Sequence, residues 1–292
     1  MEFIIKTKAE KVLDIINLIF LSIISFLCLY PFYNILVTSI NDPTDAARGG
    51  ITFWPRVFSL ESYKMVFQNE DIINAFYVTV ARTMIGTIIA VLFTAAFAYG
   101  VSKRELMGRK FIMSMTLVTM YFGGGLIPTY ILIAKWLHLK NNFLAYIIPN
   151  MFNVFNAIIM MTFFSSIPRE IEESAKIDGA NDVTVFIKLI IPLSMPVLAT
   201  IALFNGVFHW NSWFDAMLYG GSKLKTLQQI LMQIINTNNN VSVLAGNLGF
   251  KAVSSESIKL ATMVITTLPI IFAYPFLQKY FVKGIMIGSV KG

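Results

Sequence analysis

Apolar residues run through this chain in long stretches, separated by short polar connections. Ile15–Ile40, Thr83–Ser102, Phe111–Ala134, Asn141–Pro168 and Leu189–Phe214 contain no Asp, Glu, Lys or Arg, and Leu260–Gln278 is a sixth, shorter stretch of the same kind. An α-helix needs about 20 such residues to cross a bilayer, and inside hydrocarbon it satisfies its own backbone polar groups. The pattern predicts an all-α membrane protein with six transmembrane helices near 13–40, 72–102, 111–134, 143–166, 189–214 and 258–280. These form one membrane domain over residues 1–292, with long polar connections at 166–192 and 215–257 on opposite sides.

Several positions interrupt the apolar runs. Pro31 is expected to kink the first span, and Pro43, Gly49-Gly50 and Pro55 break the loop from Asn41 to Asp71. Arg82 sits about 15 Å along a second span that begins near Ile72. It reads as an interfacial residue snorkelling to the outer surface in preference to a pathway charge. Gly123-Gly124-Gly125 before Pro128 allow either a non-helical stretch lining a cavity or close helix packing through small residues.

Asn150, Asn153 and Asn156 recur at i, i+3, i+6, which puts three amides on one helical side facing inward. Their use is either a cavity wall or hydrogen bonding between helices. Span five ends in FNGVFHWNSWF. Aromatic faces beside amides suit a sugar, whose C–H faces stack while its hydroxyls take hydrogen bonds. Asn153, Asn156, Asn205, His209 and Trp210 are therefore candidate substrate-pathway residues, with Trp213 assigned to an interfacial aromatic belt. Leu227, Ile230, Leu231, Ile234 and Ile235 make an apolar stripe that predicts an amphipathic helix over Thr226–Ile235, ended by Asn236–Asn240.

The most charge-dense piece lies between two spans, from Ser165 to Leu193. Pro168 suits a first helical turn, and Glu170, Glu172 and Glu173 suit the positive end of a helix. Ile167, Ile171 and Ala175 recur on one face. Asp178-Gly179 predicts a left-handed stop, after which Asn181 or Asp182 caps a new helix running past Pro192.

Composition agrees with the spans. Hydrophobic residues make up 56% of the 292 and charged residues 13%, where a soluble domain carries about 25%. The net charge of +7 does not point to nucleic acid, because the basic residues lie in short connections. Lys103, Arg104, Arg109 and Lys110 cluster between spans two and three, which places that side and both termini in the cytoplasm. Cys28, the sole cysteine, excludes an internal disulfide. The first apolar run is too long for a signal peptide and reads as a retained helix.

Glu173-Ser174-Ala175, then Asp178-Gly179-Ala180, then Leu189-Ile190-Ile191-Pro192 resemble the "EAA" loop of ABC-importer permeases. The family pattern has Ala where Ser174 stands, and Ile and Leu where Leu189 and Ile191 stand. The resemblance extends over nearly the whole chain and is to the carbohydrate branch, similar to the second permease subunit of maltose-type importers. YFGGGLIPTY and ATIALFNGVFHWNSWFDAMLY are similar to permeases that import oligosaccharides released by polysaccharide-degrading enzymes, and uronate-containing sugars are common among those.

The resemblance implies the type I ABC importer permease fold with a cytoplasmic coupling loop, in a bacterial cytoplasmic membrane. It implies a heterodimer with a second permease, two ATPase subunits and an external solute-binding lipoprotein. Glu172, Glu173, Ser174, Ala175, Asp178, Gly179 and Ala180 would then couple to the ATPases. Asn238, Asn239 and Asn240 would touch the lipoprotein, and the tail Val290, Lys291 and Gly292 would reach between the ATPases.

No Gly-Lys-Ser/Thr phosphate loop occurs in the chain. It is expected to be a transport subunit without catalytic residues, metal or cofactor of its own, with ATP and Mg on the partner subunits. An ion-coupled secondary transporter is the alternative, but it usually leaves acidic or His relays inside the spans, and here His209 is the one clear candidate. A membrane-embedded transferase would show carboxylate or His clusters at one interface.

Overall fold

In the computed structural model, residues 7–236, 257–272 and 275 are described, and they are helical with no strand beyond an isolated bridge between Asn41 and Phe58. The chain divides into two compact units, Met1–Asn69 with Ile234–Thr266 and Glu70–Gln233 with Thr267–Gly292.

In the first unit, α1 (Lys8–Ser39) starts at a capping box: Thr7 Oγ1 accepts from the Glu10 amide and Glu10 accepts from the Thr7 amide. It passes through Pro31 without a break and is exposed along nearly all its length. The following loop folds back on its end. Asn34 donates to the Ile51 carbonyl (2.9 Å), and buried Asn41 accepts from the Val57 amide (2.9 Å) while donating to Asp45 (2.9 Å). Two short helices, α2 (Pro43–Ala46) and α3 (Glu61–Gln68), complete this stretch.

The second unit is built on α4 (Glu70–Ser102), a single helix of 33 residues. Its buried positions Ala75, Thr79, Arg82, Gly86, Ala90, Thr94 and Ala98 recur every three or four residues, and most are small enough for close helix approach. It packs against α8 (Val154–Ser165) and α12 (Met195–Asn211). Ala95, Ala98, Tyr99, Met160, Phe164, Val185, Ile190 and Ile201 form the core between these elements.

Three of the expected spans fall on helix pairs bent at a break. The α5 helix (Arg109–Tyr121) and α6 (Leu126–Ile131, extended to Trp136 as a π turn) meet at 110°. The break holds Gly123-Gly124-Gly125, with Gly125 at φ +83°. A Cβ at Gly123 or Gly125 would meet nothing within 4 Å, so these two glycines serve the break and not packing against another described helix. The turn α7 (Leu144–Ile147), continued by a 3-10 turn to Asn150, meets α8 at 54°.

A short helix, α9 (Arg169–Ile177), precedes α10 (Asp182–Val185), a π turn and α11 (Ile191–Leu193), which together meet α12 at 81° beside Pro192 and Pro196. Then come α13 (Phe214–Tyr219), α14 (Leu227–Asn236) and the apolar helix α15 (Ser257–Phe272). Among the described residues, α1 and α4 are long and apolar enough to cross a membrane, and each bent pair can make one further span.

Arg82 corrects the sequence reading. It does not snorkel to a surface: it is fully buried, with Nη2 2.5 Å and Nη1 3.1 Å from the Asp215 carboxylate. Nη1 also donates to the Ser212 carbonyl (3.3 Å), and the guanidinium lies 4.5 Å from the Tyr146 ring centre. Its partner stands 133 positions away, where periodicity is blind. Removing one member of a buried pair typically costs about 3–5 kcal/mol. Alongside it, the Tyr146 hydroxyl donates to the Leu224 carbonyl (2.5 Å) and the Leu227 amide donates to Thr79 Oγ1 (2.8 Å).

Candidate functional site: the α9 turn and the α4–α12 crossing

The charged stretch forms the predicted helix, turn and helix. Pro168 stands at the N-cap, one position before the expected first turn. The end of α9 is a Schellman motif: the Gly179 amide donates to the Lys176 carbonyl (3.0 Å) and the Ala180 amide to the Ala175 carbonyl (2.9 Å). Gly179 has φ +82°, which its lack of Cβ permits. Asn181 then caps α10 by accepting from the Thr184 amide (2.8 Å).

Ion pairs seat α9 on neighbouring elements. Glu172 pairs with Lys103 just past the end of α4, and the Lys103 ammonium lies 4.2 Å from the Tyr99 ring centre. Arg169 pairs with Glu105 and Lys176 with Asp182, both at 2.9 Å. The Lys176 ammonium holds the Asp182 carboxyl below the usual carboxylate range, while burial pushes the Lys103 ammonium down.

These contacts sort the predicted coupling residues by direction. Glu172, Ala175 and Ala180 are half-buried, and Ala175 and Ala180 pack on the core. Glu173, Ser174, Asp178 and Gly179 are exposed. Ile177, which the sequence reading did not single out, is 87% exposed among them. An apolar residue this exposed beside carboxylates gives the outer side of the turn a small apolar point within an acidic rim.

The pathway candidates are only partly gathered. Asn150, Asn153 and Asn156 do not share a helical face, because the helix starts only at Val154. Asn153 is its N-cap and accepts from the Asn156 amide (3.1 Å), while Asn150 donates to the Tyr146 carbonyl (3.2 Å). Three amides at helical spacing presuppose an unbroken helix, and the break at residues 151–153 removes that premise.

Asn156 is 7% exposed and Asn205 5%, and the Asn205 amide donates to the Ile201 carbonyl (2.9 Å). His209 is fully buried where α12 crosses α4 at Gly86. A cavity of about 450 Å³ beside this crossing is lined by Thr83, Thr87, Leu203, Gly206 and Trp210, with Pro269 among others. Trp210 is the one pathway candidate in its wall. The candidate contacts at Asn238, Asn239 and Asn240, and at Val290, Lys291 and Gly292, lie outside the described residues.

Comparison with known proteins places the chain. Residues 3–287 match the family described as binding-protein-dependent transport system inner membrane component. Protein LplC of Bacillus subtilis (strain 168) is 40% identical over 98% of this chain and 97% of its own length. The polygalacturonan/rhamnogalacturonan transport system permease protein YtcP of the same organism is 37% identical over 97% of this chain and 99% of its own. A crystal structure of a bacterial ABC transporter involved in the import of the acidic polysaccharide alginate contains a chain that superposes with a TM-score of 0.87. That chain is 31% identical, with 94% of this chain and 99% of it covered. The family match, the all-helical fold and the helix–turn–helix at residues 169–185 together identify this chain as a member of the binding-protein-dependent transport system inner membrane components, an ABC importer permease of the carbohydrate type.

Proposed function

We propose that this permease moves uronate-containing oligosaccharides into a bacterial cytoplasm, paired with a second permease and driven by two ATPase subunits that bind ATP and Mg. An external solute-binding lipoprotein delivers the sugar. Both termini and the α9 turn face the cytoplasm.

The observation that carries the coupling role is the two-sidedness of α9. One side is tied to the end of α4 through Glu172 and Lys103, and the other presents Glu173, Ser174, Ile177 and Asp178 to a partner. A force on the exposed side reaches α4 through the tied side. The substrate class is supported by the names of two relatives, since polygalacturonan and alginate are both acidic polysaccharides.

Uptake of a radiolabelled galacturonate disaccharide or trisaccharide by proteoliposomes holding the full complex tests this reading. ATP-dependent uptake that neutral maltotriose does not compete supports it. Competition by maltotriose alone overturns the substrate class, and failure of the permease to co-purify with an ATPase overturns the importer assignment.

A further inference from the structure

The Arg82–Asp215 pair is not accounted for by the coupling turn or by the substrate candidates. It joins α4 to the segment Ser212–Leu227, which holds α13 and the start of α14. The joint is broad. Arg82 reaches the Ser212 carbonyl and the Asp215 carboxylate, Tyr146 on α7 reaches Leu224, Thr79 receives the Leu227 amide, and Lys225 pairs with Asp71 at 3.3 Å. The Asp215 carboxylate also accepts from the Ala216 amide (2.8 Å), so it is held from its own side.

A fully buried guanidinium cannot leave such a partner without stranding its charge in an apolar setting. The other end of the same unbroken helix leads directly to Lys103 and, through it, to α9. Spans three, four and five are bent, whereas α4 is not. A continuous helix of 33 residues is a rod of about 50 Å.

We infer that Arg82 and Asp215 are positioning residues: their ion pair keeps the Ser212–Leu227 segment fixed on α4 throughout the transport cycle, so that a load on that segment reaches the α9 turn through α4. The inference rests on the importer reading above, because it assigns a mechanical path within that cycle.

Two variants test it in the complete complex reconstituted with its binding protein in lipid nanodiscs and proteoliposomes. Asp71 and Lys225 are partly exposed, so Asp71→Cys with Lys225→Cys, in a Cys28→Ser background, accepts a short thiol cross-linker. A joint that never opens tolerates the bridge, and uptake should stay within about twofold of the unbridged sample, below the tenfold that 1.4 kcal/mol represents. A fall of tenfold or more on bridging overturns the fixed joint.

Asp215→Asn should lower the stimulation of ATP hydrolysis by the loaded binding protein about tenfold or more, while unstimulated hydrolysis persists. Arg82→Met with Asp215→Leu, which replaces the pair by apolar bulk, should restore most of it. Wild-type stimulation in Asp215→Asn overturns the positioning role. An assembled double variant that stays unstimulated shows that the charges are used directly and overturns it as well. Should Asp215→Asn not assemble, the bridged variant still decides, because it leaves the pair intact. Failure of the importer reading would look different: no ATPase would co-purify and no hydrolysis would be measured in any sample.

Discussion

The His209 ring lies directly on Gly86, so close that a Cβ built on Gly86 would come 2.5 Å from Nε2. This contact sets how near α12 approaches α4. Gly86→Ala should therefore destabilise the permease by about 1–3 kcal/mol, the usual cost of overpacking. Thermal unfolding of the purified complex checks it. Gly206 is the contrast: its added Cβ would sit 3.6 Å from Thr87 Oγ1, an ordinary contact, so Gly206→Ala should be near neutral.

Gly179→Pro should abolish sugar-stimulated ATP hydrolysis while the protein still inserts and assembles. Proline fixes φ near −65°, whereas this position holds +82°, and proline also removes the amide that bonds the Lys176 carbonyl. Gly179→Ala keeps the amide and should cost about 1–2 kcal/mol of local stability, the left-handed penalty. Stimulated hydrolysis at the wild-type level in Gly179→Pro would count against a coupling role for the turn.

Glu173→Lys and Ile177→Asp alter the exposed side of α9 without touching its ion pairs. Each should leave helix content and insertion unchanged and weaken ATPase co-purification at raised salt. If the exposed side is a docking surface, both should lower stimulated hydrolysis by at least tenfold, equivalent to about 1.4 kcal/mol or more. Wild-type activity in both would be the opposing result.

The Lys103–Glu172 pair predicts a coupling energy of its own. Glu172→Gln should raise hydrogen exchange across α9, matching a loss of about 1.5–3 kcal/mol for a bond to a charged group. The exchanged pair, Lys103→Glu with Glu172→Lys, should recover part of it. No recovery would assign the effect to Tyr99 packing instead.

A pH dependence follows from Asp182, whose carboxyl is held down chiefly by its hydrogen bond from Lys176. A depressed folded pKa stabilises above the unfolded value, about 3.9, and the contribution disappears as pH falls through the folded value. Protection of the Ala180 amide against exchange should therefore weaken below about pH 4. Asp182→Asn should abolish that dependence, and a slope unchanged in Asp182→Asn would overturn the assignment.

Much of this was readable from local chemistry. The α9 turn needed only a glycine, a cap and a charge pattern, all within a few residues, so Pro168, Gly179 and Asn181 announced it. The apolar runs likewise announced membrane helices. Their bends were harder to see. Gly123–Gly125 flagged one break, but at the interruption over residues 151–153 the nearest breaker is Pro149, a residue that membrane helices tolerate, and so the three asparagines around it read as one face.

Arg82 was misread because its explanation is entirely long-range. A lone arginine just ahead of Thr83–Ser102, a run long enough to span by itself, is cheapest at the interface, and only a carboxylate brought in from Asp215 makes burial acceptable. Ile177 shows the same limit in reverse. It sits among charged residues as an ordinary apolar position, and its exposure appears only once α9 has been seated by Glu172.

From Ile15 to Leu29 the α1 helix is exposed on every side and almost wholly apolar. That stretch has no azimuth of its own: turned by any angle about its axis, it offers lipid the same surface. Its rotational setting comes instead from its far end, where Tyr33 and Asn34 donate to the carbonyls of Phe53 and Ile51. The bilayer holds the helix, and the loop that follows aims it.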